Sequence, residues 1–364
     1  MNRIAFFLPV VAFGAAFLCG FNPHYWWAYL LIAAAAEGLL YLLFFLKNSS
    51  TEYLSGYANT LIHHFPWTER KENTESRTVN GKTEYRTTVS YVNHGDEYFC
   101  ELNTGERLEI DSATFKRLYN KWHTPAEPIK VHHHHCVKGG DGEKFKWNGN
   151  EYDTEVFTQT HRYRNPIKNS NSPLRGQRIK KAEADALGLF KYPDIKSQKQ
   201  EAFLVAPDLY YTGDLKDTDL ELQHLNGFCG ADHQIHVFML LFPAKEGSLI
   251  ALKQRDYWKG CNKNEFVVCL GVQGNAVEWC ETLSWMDDPT LDKEVKEYFR
   301  NNHTADLTQF VKWLRDHLDL WKRKEVKDLK RSSLMTSGST AYLWGTAIAA
   351  AILVFLCAFW IGGK

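Results

Sequence analysis

The sequence predicts an α+β protein: a cytoplasmic region of largely antiparallel sheets with a few packed helices, attached to three transmembrane α-helices. Apolar runs at residues 4–20, 26–46 and 341–361 carry the membrane prediction, because a bilayer core about 30 Å thick requires roughly 20 apolar residues in a helix. The region between the runs must be polar, because the chain has 43 basic and 43 acidic residues and a mean hydropathy of −0.39.

Residues 1–20 allow a second interpretation, a cleaved signal peptide, because Arg3 precedes a short apolar core. A cleavage site near Cys19 or Gly20 would require small side chains before it, and the chain has Phe17 and Leu18 there. A helical hairpin with spans at residues 4–20 and 26–46 is therefore the preferred prediction.

Basic residues near the apolar runs predict the orientation, since cationic flanks stay on the cytoplasmic side. A cluster of Lys and Arg at positions 322–331 precedes the last run, only Lys364 follows it, and Arg3 and Lys47 flank the hairpin. We therefore expect a multi-pass protein of a cell inner membrane, with the N-terminus and the middle region cytoplasmic and the C-terminus outside. In that compartment the six cysteines of the middle region are expected to be free thiols.

The expected partners follow from the same features. The lipid bilayer is one, and a protein partner or self-association through the spans is another. The formal net charge is zero, which gives no sign of the basic footprint that nucleic-acid binding requires, so no nucleic acid is expected.

Composition shifts divide the chain into six segments. They are the helical hairpin at 1–46, a β-rich subdomain at 47–165, a polar linker at 166–200, an α+β subdomain at 201–331, a linker at 332–340 and the last span at 341–361.

Residue patterns predict the main elements of the middle region. Residues 55–65 resemble a short helical connector, and the charged residues 68–81 a solvated loop. Strands at 82–91 and 97–102 are predicted to form a hairpin through the turn at 93–96, because Thr, Val, Tyr and Phe are enriched in both. Residues 112–122 have helical spacing, with Phe115, Leu118 and Trp122 on one face.

The second half of the middle region has a different pattern. Continuous apolar runs at 234–242 and 265–273 predict strands covered on both faces. Helices are predicted at 291–301 and 306–329, and the second has an apolar stripe that would pack on the sheet.

The run His-His-His-His-Cys at 132–136 is a candidate metal site, because imidazole and thiolate are ligands of zinc. In a strand, alternation would place His132, His134 and Cys136 on one face. His161, in a possible partner strand, would be the fourth ligand. The simpler alternative is an exposed edge strand of polar rings without a metal.

The loop leading into the second apolar strand, within residues 254–271, is a candidate ligand or catalytic site, because sites are often built where loops meet strand ends. Cys261 would be a nucleophile with Asp256 beside it, provided that a base lies nearby. Anion binding would fall to Arg255, Lys259, Asn262 and Lys263. A purely structural loop is the alternative.

Glu37 is the only acidic residue within an apolar run, and an ionisable group at membrane depth suggests ion handling or, more simply, a helix-helix contact. Two functions remain open. One is an integral membrane protein with a cytoplasmic binding or regulatory module, a scaffold or sensor of unknown ligand. The other is a membrane-anchored enzyme that uses Cys261 or a metal at residues 132–136.

Overall fold

A computed structural model describes residues 49–79, 82–165, 167–168, 174, 176–177, 179–194, 202–302 and 306–325, with separate positions near both ends of the chain. This part is α+β with largely antiparallel strand pairing, as predicted. The strands are β1 (Ser49–His64), β2 (Trp67–Val79), β3 (Lys82–His94), β4 (Glu97–Leu102), β5 (Arg107–Glu109), β6 (Glu127–Ile129), β7 (Cys136–Gly139), β8 (Gly142–Lys146), β9 (Val156–Arg164), β10 (Phe203–Val205), β11 (His236–Pro243), β12 (Glu265–Gln273) and β13 (Ala276–Ser284). The helices are α1 (Ser112–Trp122), α2 (Lys181–Ala186), α3 (Leu215–His233), α4 (Leu249–Tyr257), α5 (Thr290–Asn301) and α6 (Leu307–Asp316).

The first sheet is built around β1 and has the order β5-β4-β1-β8-β6, with β9 also paired to β1. The first half of β1, from Ser49 to Tyr57, is antiparallel to β9. The second half lies between β4 and β8, so that Leu61 is opposite Cys100 on one side and Phe145 on the other. Residues 55–65 were predicted as a helical connector. That prediction is wrong because the backbone groups of this segment are paired with neighbouring strands.

Helix α1 covers the second half of this sheet. It begins after Asp111, whose side chain accepts a hydrogen bond from the Thr114 backbone N–H at 2.6 Å. Phe115, Leu118 and Trp122 are buried, as their spacing predicted. The helix ends at Trp122, and the next residue, His123, adopts a left-handed conformation.

The second sheet has the order β10-β11-β12-β13. β10, β11 and β12 are parallel, and β13 returns antiparallel to β12. Parallel neighbours require a crossover connection, which α3 supplies between β10 and β11 and α4 between β11 and β12. Residues 236–242 and 265–272 are buried throughout, which confirms the two predicted central strands.

Helices α5 and α6 pack on this core through Leu291, Val295 and Phe299 of α5 and the Leu307 side of α6. The predicted helix at 306–329 is shorter than expected. α6 ends at Asp316, and a 3-10 turn, Leu318–Leu320, follows it. Trp321, which follows this turn, has an extended backbone and a buried side chain. The predicted apolar stripe therefore continues to Trp321, although the helix does not.

The third sheet is a long ribbon of β2 and β3 with β7 at its foot. β2 and β3 pair from Trp67 opposite His94 to Val79 opposite Lys82. β7 pairs only with Trp67, Thr68 and Glu69. The charged segment 68–81 was predicted as a loop, which is wrong because almost all of it is strand β2. β3 and β4 do not form the predicted hairpin, because they belong to different sheets: β3 pairs with β2 and β4 pairs with β1.

No helix in the described part of the chain is long and apolar enough to cross a membrane. The prediction of three transmembrane helices is therefore wrong on this finding. The predicted integral membrane function is wrong on the same finding, both as a binding module and as an enzyme. So is the predicted inner-membrane localisation with a cytoplasmic middle region. A membrane span requires about 20 consecutive residues in one helix. The hydropathy of a run depends only on its composition and does not show that its residues form a continuous helix. Most of the three runs, Glu37 included, lies outside the described residues, and the longest described helical piece in them is 347–352.

The two larger sheets meet where β1 passes β11. Ser55 Oγ lies 2.8 Å from Thr158 Oγ1 and 3.4 Å from His236 Nδ1. His236 is 1% exposed, and its Nε2 has no hydrogen-bond partner in the described part of the chain. Burial alone lowers the pKa of His236 to about 3, so this imidazole is neutral in the folded protein.

We predict that His236 makes the free energy of unfolding fall as the pH drops below about 6.5. The unfolded chain binds a proton near that pH, whereas the folded chain resists protonation until the pH is about 3. The slope contributed is up to about 1.4 kcal/mol per pH unit. Chemical denaturation at pH 4.5–7.5 tests this: His236→Asn should have a shallower slope than wild type, and equal slopes would contradict the assignment.

Candidate functional site

The foot of the ribbon is a stack of three aromatic rings. Trp67 lies between His94 and His133, with ring centroids 4.0 Å and 4.2 Å away and planes within 15° of parallel. His94 Nε2 lies 3.0 Å from a Glu69 carboxylate oxygen. His133 also contacts His64 edge to face. The stack fixes the start of β2 to the end of β1.

The histidine run at 132–135 forms a turn and not the strand that the metal hypothesis assumed. Cys136 N–H donates to the His133 carbonyl at 3.3 Å, and His135 adopts a left-handed conformation with φ 57°. β7 begins only at Cys136. His133 therefore lies against Trp67, while His132 and His134 are exposed.

His161, the expected fourth metal ligand, belongs to a different pairing. It is opposite Glu52 near the start of β1 and pairs with Glu106 at 3.1 Å, whereas Cys136 pairs with Glu69 of β2. Among the described residues, no group of three or more His, Cys, Asp or Glu side chains is placed to hold a metal ion.

Two glycines let the turn close against the ribbon. A Cβ on Gly139 would lie 2.4 Å from the Pro66 carbonyl oxygen, and one on Gly140 would lie 2.8 Å from the His133 ring. Both residues have positive φ, which glycine adopts without strain.

A groove of about 560 Å³ lies next to this foot. It is lined by residues 70–73 of β2 and by residues 135–137. The Arg70 guanidinium pairs with Glu72 at 2.6 Å, and the Lys71 amine with Glu69 at 3.4 Å. The charges along this wall are therefore largely compensated.

The direction of the backbone groups along β2 follows from one hydrogen bond. Arg70 N–H donates to the His135 carbonyl at 3.0 Å, away from β3. In an antiparallel ladder the direction alternates, so Glu72, Thr74 and Ser76 also direct their N–H and C=O groups away from β3. Beyond Arg70, no strand of the described chain pairs with this edge. The groove is thus the space into which β7 would extend.

The predicted site at residues 254–271 is closed. Cys261 is 5% exposed, and burial raises its thiol pKa well above the ordinary value, with the nearby Glu265 acting in the same direction. A protonated and inaccessible thiol is a poor nucleophile. Cys261 also has a positive φ of 65° in a turn where its N–H donates to the Trp258 carbonyl.

Asn262 belongs to a buried hydrogen-bond network. Its side-chain and backbone N–H groups donate to Glu265 at 2.7 Å and 2.8 Å, and its amide also donates to the Tyr192 hydroxyl. The Tyr192 hydroxyl donates to Glu265 in turn. Burial raises the pKa of Glu265, and the donated hydrogen bonds act in the opposite direction. The network joins Tyr192 to the turn before β12, and the hydrogen bonds of these side chains are made within the protein.

Lys263 makes a buried ion pair with Glu52 of β1 at 3.2 Å, and the two side chains are 11% and 13% exposed. The Lys263 amine also lies 4.6 Å from the centre of the Tyr163 ring. Its role is thus to join the loop before β12 to the first sheet.

Among the remaining predicted residues of this loop, the charge of Arg255 acts to lower the pKa of Cys261, against the larger effect of burial. Arg255 pairs with its neighbour Asp256 at 3.2 Å, and Asp256 packs against Gly176. Lys259 is exposed in a left-handed turn.

Scans against protein-family models, curated proteins and solved structures found no match for this chain.

Sequence reasoning did not select Trp67, His133 or the edge of β2. One available signal was the period-two placement of Tyr85, Val89 and Tyr91 in β3. Such a strand needs a neighbour, and the charged residues before it supply one.

We predict that iodoacetamide will alkylate Cys136 in the folded protein, while Cys261 reacts only after denaturation. Cys136 is half-buried, whereas Cys261 is buried and its thiol pKa is raised. Mass spectrometry of tryptic peptides measures both sites in one sample. Rapid labelling of Cys261 in the native protein would contradict the closed site.

We predict that Lys263→Met destabilises the fold by about 3 kcal/mol, because it leaves Glu52 buried without its partner. The double variant with Glu52→Leu should recover most of this loss. Lys130→Met is the matched control: its pair with Asp141 is 2.7 Å long, but the lysine is 91% exposed, so about 0.5 kcal/mol is expected. Urea denaturation measures all three, and equal losses for the two lysine variants would contradict the prediction.

Proposed function

We propose that this chain is a protein-interaction module that binds an extended peptide segment by strand addition to the open edge of β2. The peptide would continue the line of β7 and run antiparallel to β2 from Glu72 outward. Main-chain hydrogen bonds would supply most of the affinity, as in other strand-addition interactions.

The observation that carries this proposal is the unpaired backbone of β2 beside a groove of about 560 Å³. β7 stops pairing at Glu69 and Arg70, yet β2 continues to Val79. A row of unpaired strand groups is a template for another chain.

The rigidity of the foot also favours binding. The Trp67 stack and the two glycines hold the groove wall against the body of the protein, so that ordering costs fall mainly on the incoming peptide. The alternative location, the loop at residues 254–271, is filled by its own hydrogen bonds. An open edge supports binding better than a closed network does.

We predict that Glu72→Pro weakens peptide binding by at least about tenfold, because proline removes an N–H that faces the groove and adds a ring at the edge. Octapeptides selected from a displayed random library on the wild-type chain are the probe, and their dissociation constants are measured by fluorescence anisotropy. The β2–β3 ladder should survive, because the Glu72 N–H is not used in it.

Two controls separate the backbone from the side chain and one edge from the other. Glu72→Ala removes the same carboxylate but keeps the N–H, and should bind like wild type because the pair with Arg70 is half-exposed. Val89→Pro makes the equivalent change in β3, directly opposite Glu72, and should also bind. Failure of the library to enrich any peptide, or equal binding by Glu72→Pro, would overturn the proposal.

A further inference from the structure

The other edge of the ribbon is formed by β3, which is the terminal strand of its sheet. Tyr91 is opposite Arg70, and the Arg70 N–H is donated away from β3. The backbone groups of Tyr91 therefore also point away from β2, and by alternation those of Val89, Thr87 and Tyr85 do the same. In the described part of the chain, no strand pairs with them.

The side chains of these residues form one exposed face. Tyr85 is 74% exposed, Tyr91 65% and Val89 40%. They share a face because strand side chains alternate. Natural sheets usually protect a long edge with proline, inward charges or a covering element, and β3 has no proline along its 13 residues.

We propose that two copies of this chain pair through their β3 edges, antiparallel and centred on Thr88, to form a four-stranded sheet from two ribbons. In this register Tyr85 of one copy is opposite Tyr91 of the other, and Thr87 is opposite Val89, each pair occurring twice. Aromatic pairs across antiparallel strands stabilise a sheet.

Two features favour a second copy as the occupant. Thr88 is the midpoint of Lys82–His94, so the register that pairs the tyrosines is also the one in which the whole strand overlaps. It places Arg86 opposite Ser90, whereas a register centred on Arg86 would place two guanidinium groups opposite each other, which is destabilising. The β3 edge is separate from the peptide groove, because it lies on the opposite side of the ribbon.

The register is tested by disulfide formation in the full chain. Thr88→Cys should form a covalent dimer under mild oxidation, since the two Thr88 Cα atoms would be about 4.5 Å apart in a non-hydrogen-bonded pair, within the range that a disulfide spans. Ser90→Cys is the matched control, because its two copies would be about 13 Å apart. A non-reducing gel compares both with wild type. Dimer formation by Ser90→Cys alone, or by neither variant, overturns the proposed register.

The interface itself is tested by sedimentation velocity over a range of concentrations. Wild type and Glu72→Pro should show the same monomer–dimer equilibrium. Val89→Pro should weaken dimerisation by at least about tenfold, because the symmetric interface loses the same hydrogen bond twice. A wild-type monomer at all concentrations, or dimers that survive Val89→Pro, would overturn the proposal. Peptide binding by Val89→Pro tests the groove independently of this result.

Discussion

The register of β1 is the constraint on which the rest of the structure depends, because this single strand belongs to two cores. Tyr53, in its first half, packs in the core of the second sheet, and Leu61, in its second half, packs under α1. A slip of one residue would turn every side chain of β1 to the opposite face. Tyr53 and Leu61 would then both lose their core contacts, and the ion pair between Glu52 and Lys263 would be broken. The pairing with β9, β4 and β8 is therefore fixed by packing at both ends.

The polar network before β12 follows from this arrangement. Asn264 donates to the Tyr53 carbonyl at 2.6 Å, and Glu265 accepts from Asn262 and Tyr192. Buried polar groups cost free energy unless they are paired, so a loop that joins two layers needs the same amides, carboxylates and cations as a binding site. Residue types alone therefore do not distinguish a structural polar network from a binding site. In this loop, the burial of the Cys261 region distinguishes them.

The sequence predicted those elements whose apolar spacing agrees with their environment. α1 and the central strands β11 and β12 are of this kind. α3 was not predicted, because its buried positions include Thr218, His224 and Asn226; the Asn226 amide donates to the Val237 carbonyl, and its side-chain oxygen accepts from the Val237 N–H. β2 was also not predicted, since its charged residues show no apolar alternation and the strand is stabilised by its neighbours.

The β2 edge and the β3 edge of the ribbon suit different binding partners. On the β2 side, β7 begins only after the turn at His135, and a bounded groove lies next to that turn, so a short segment that adapts to the groove satisfies the exposed backbone. On the β3 side no strand of the described residues limits the length, and Tyr85 and Tyr91 lie three residues on either side of Thr88. An occupant that pairs along the whole strand needs the same length and the same aromatic spacing in reverse order, and a two-fold axis through Thr88 supplies both from the chain itself.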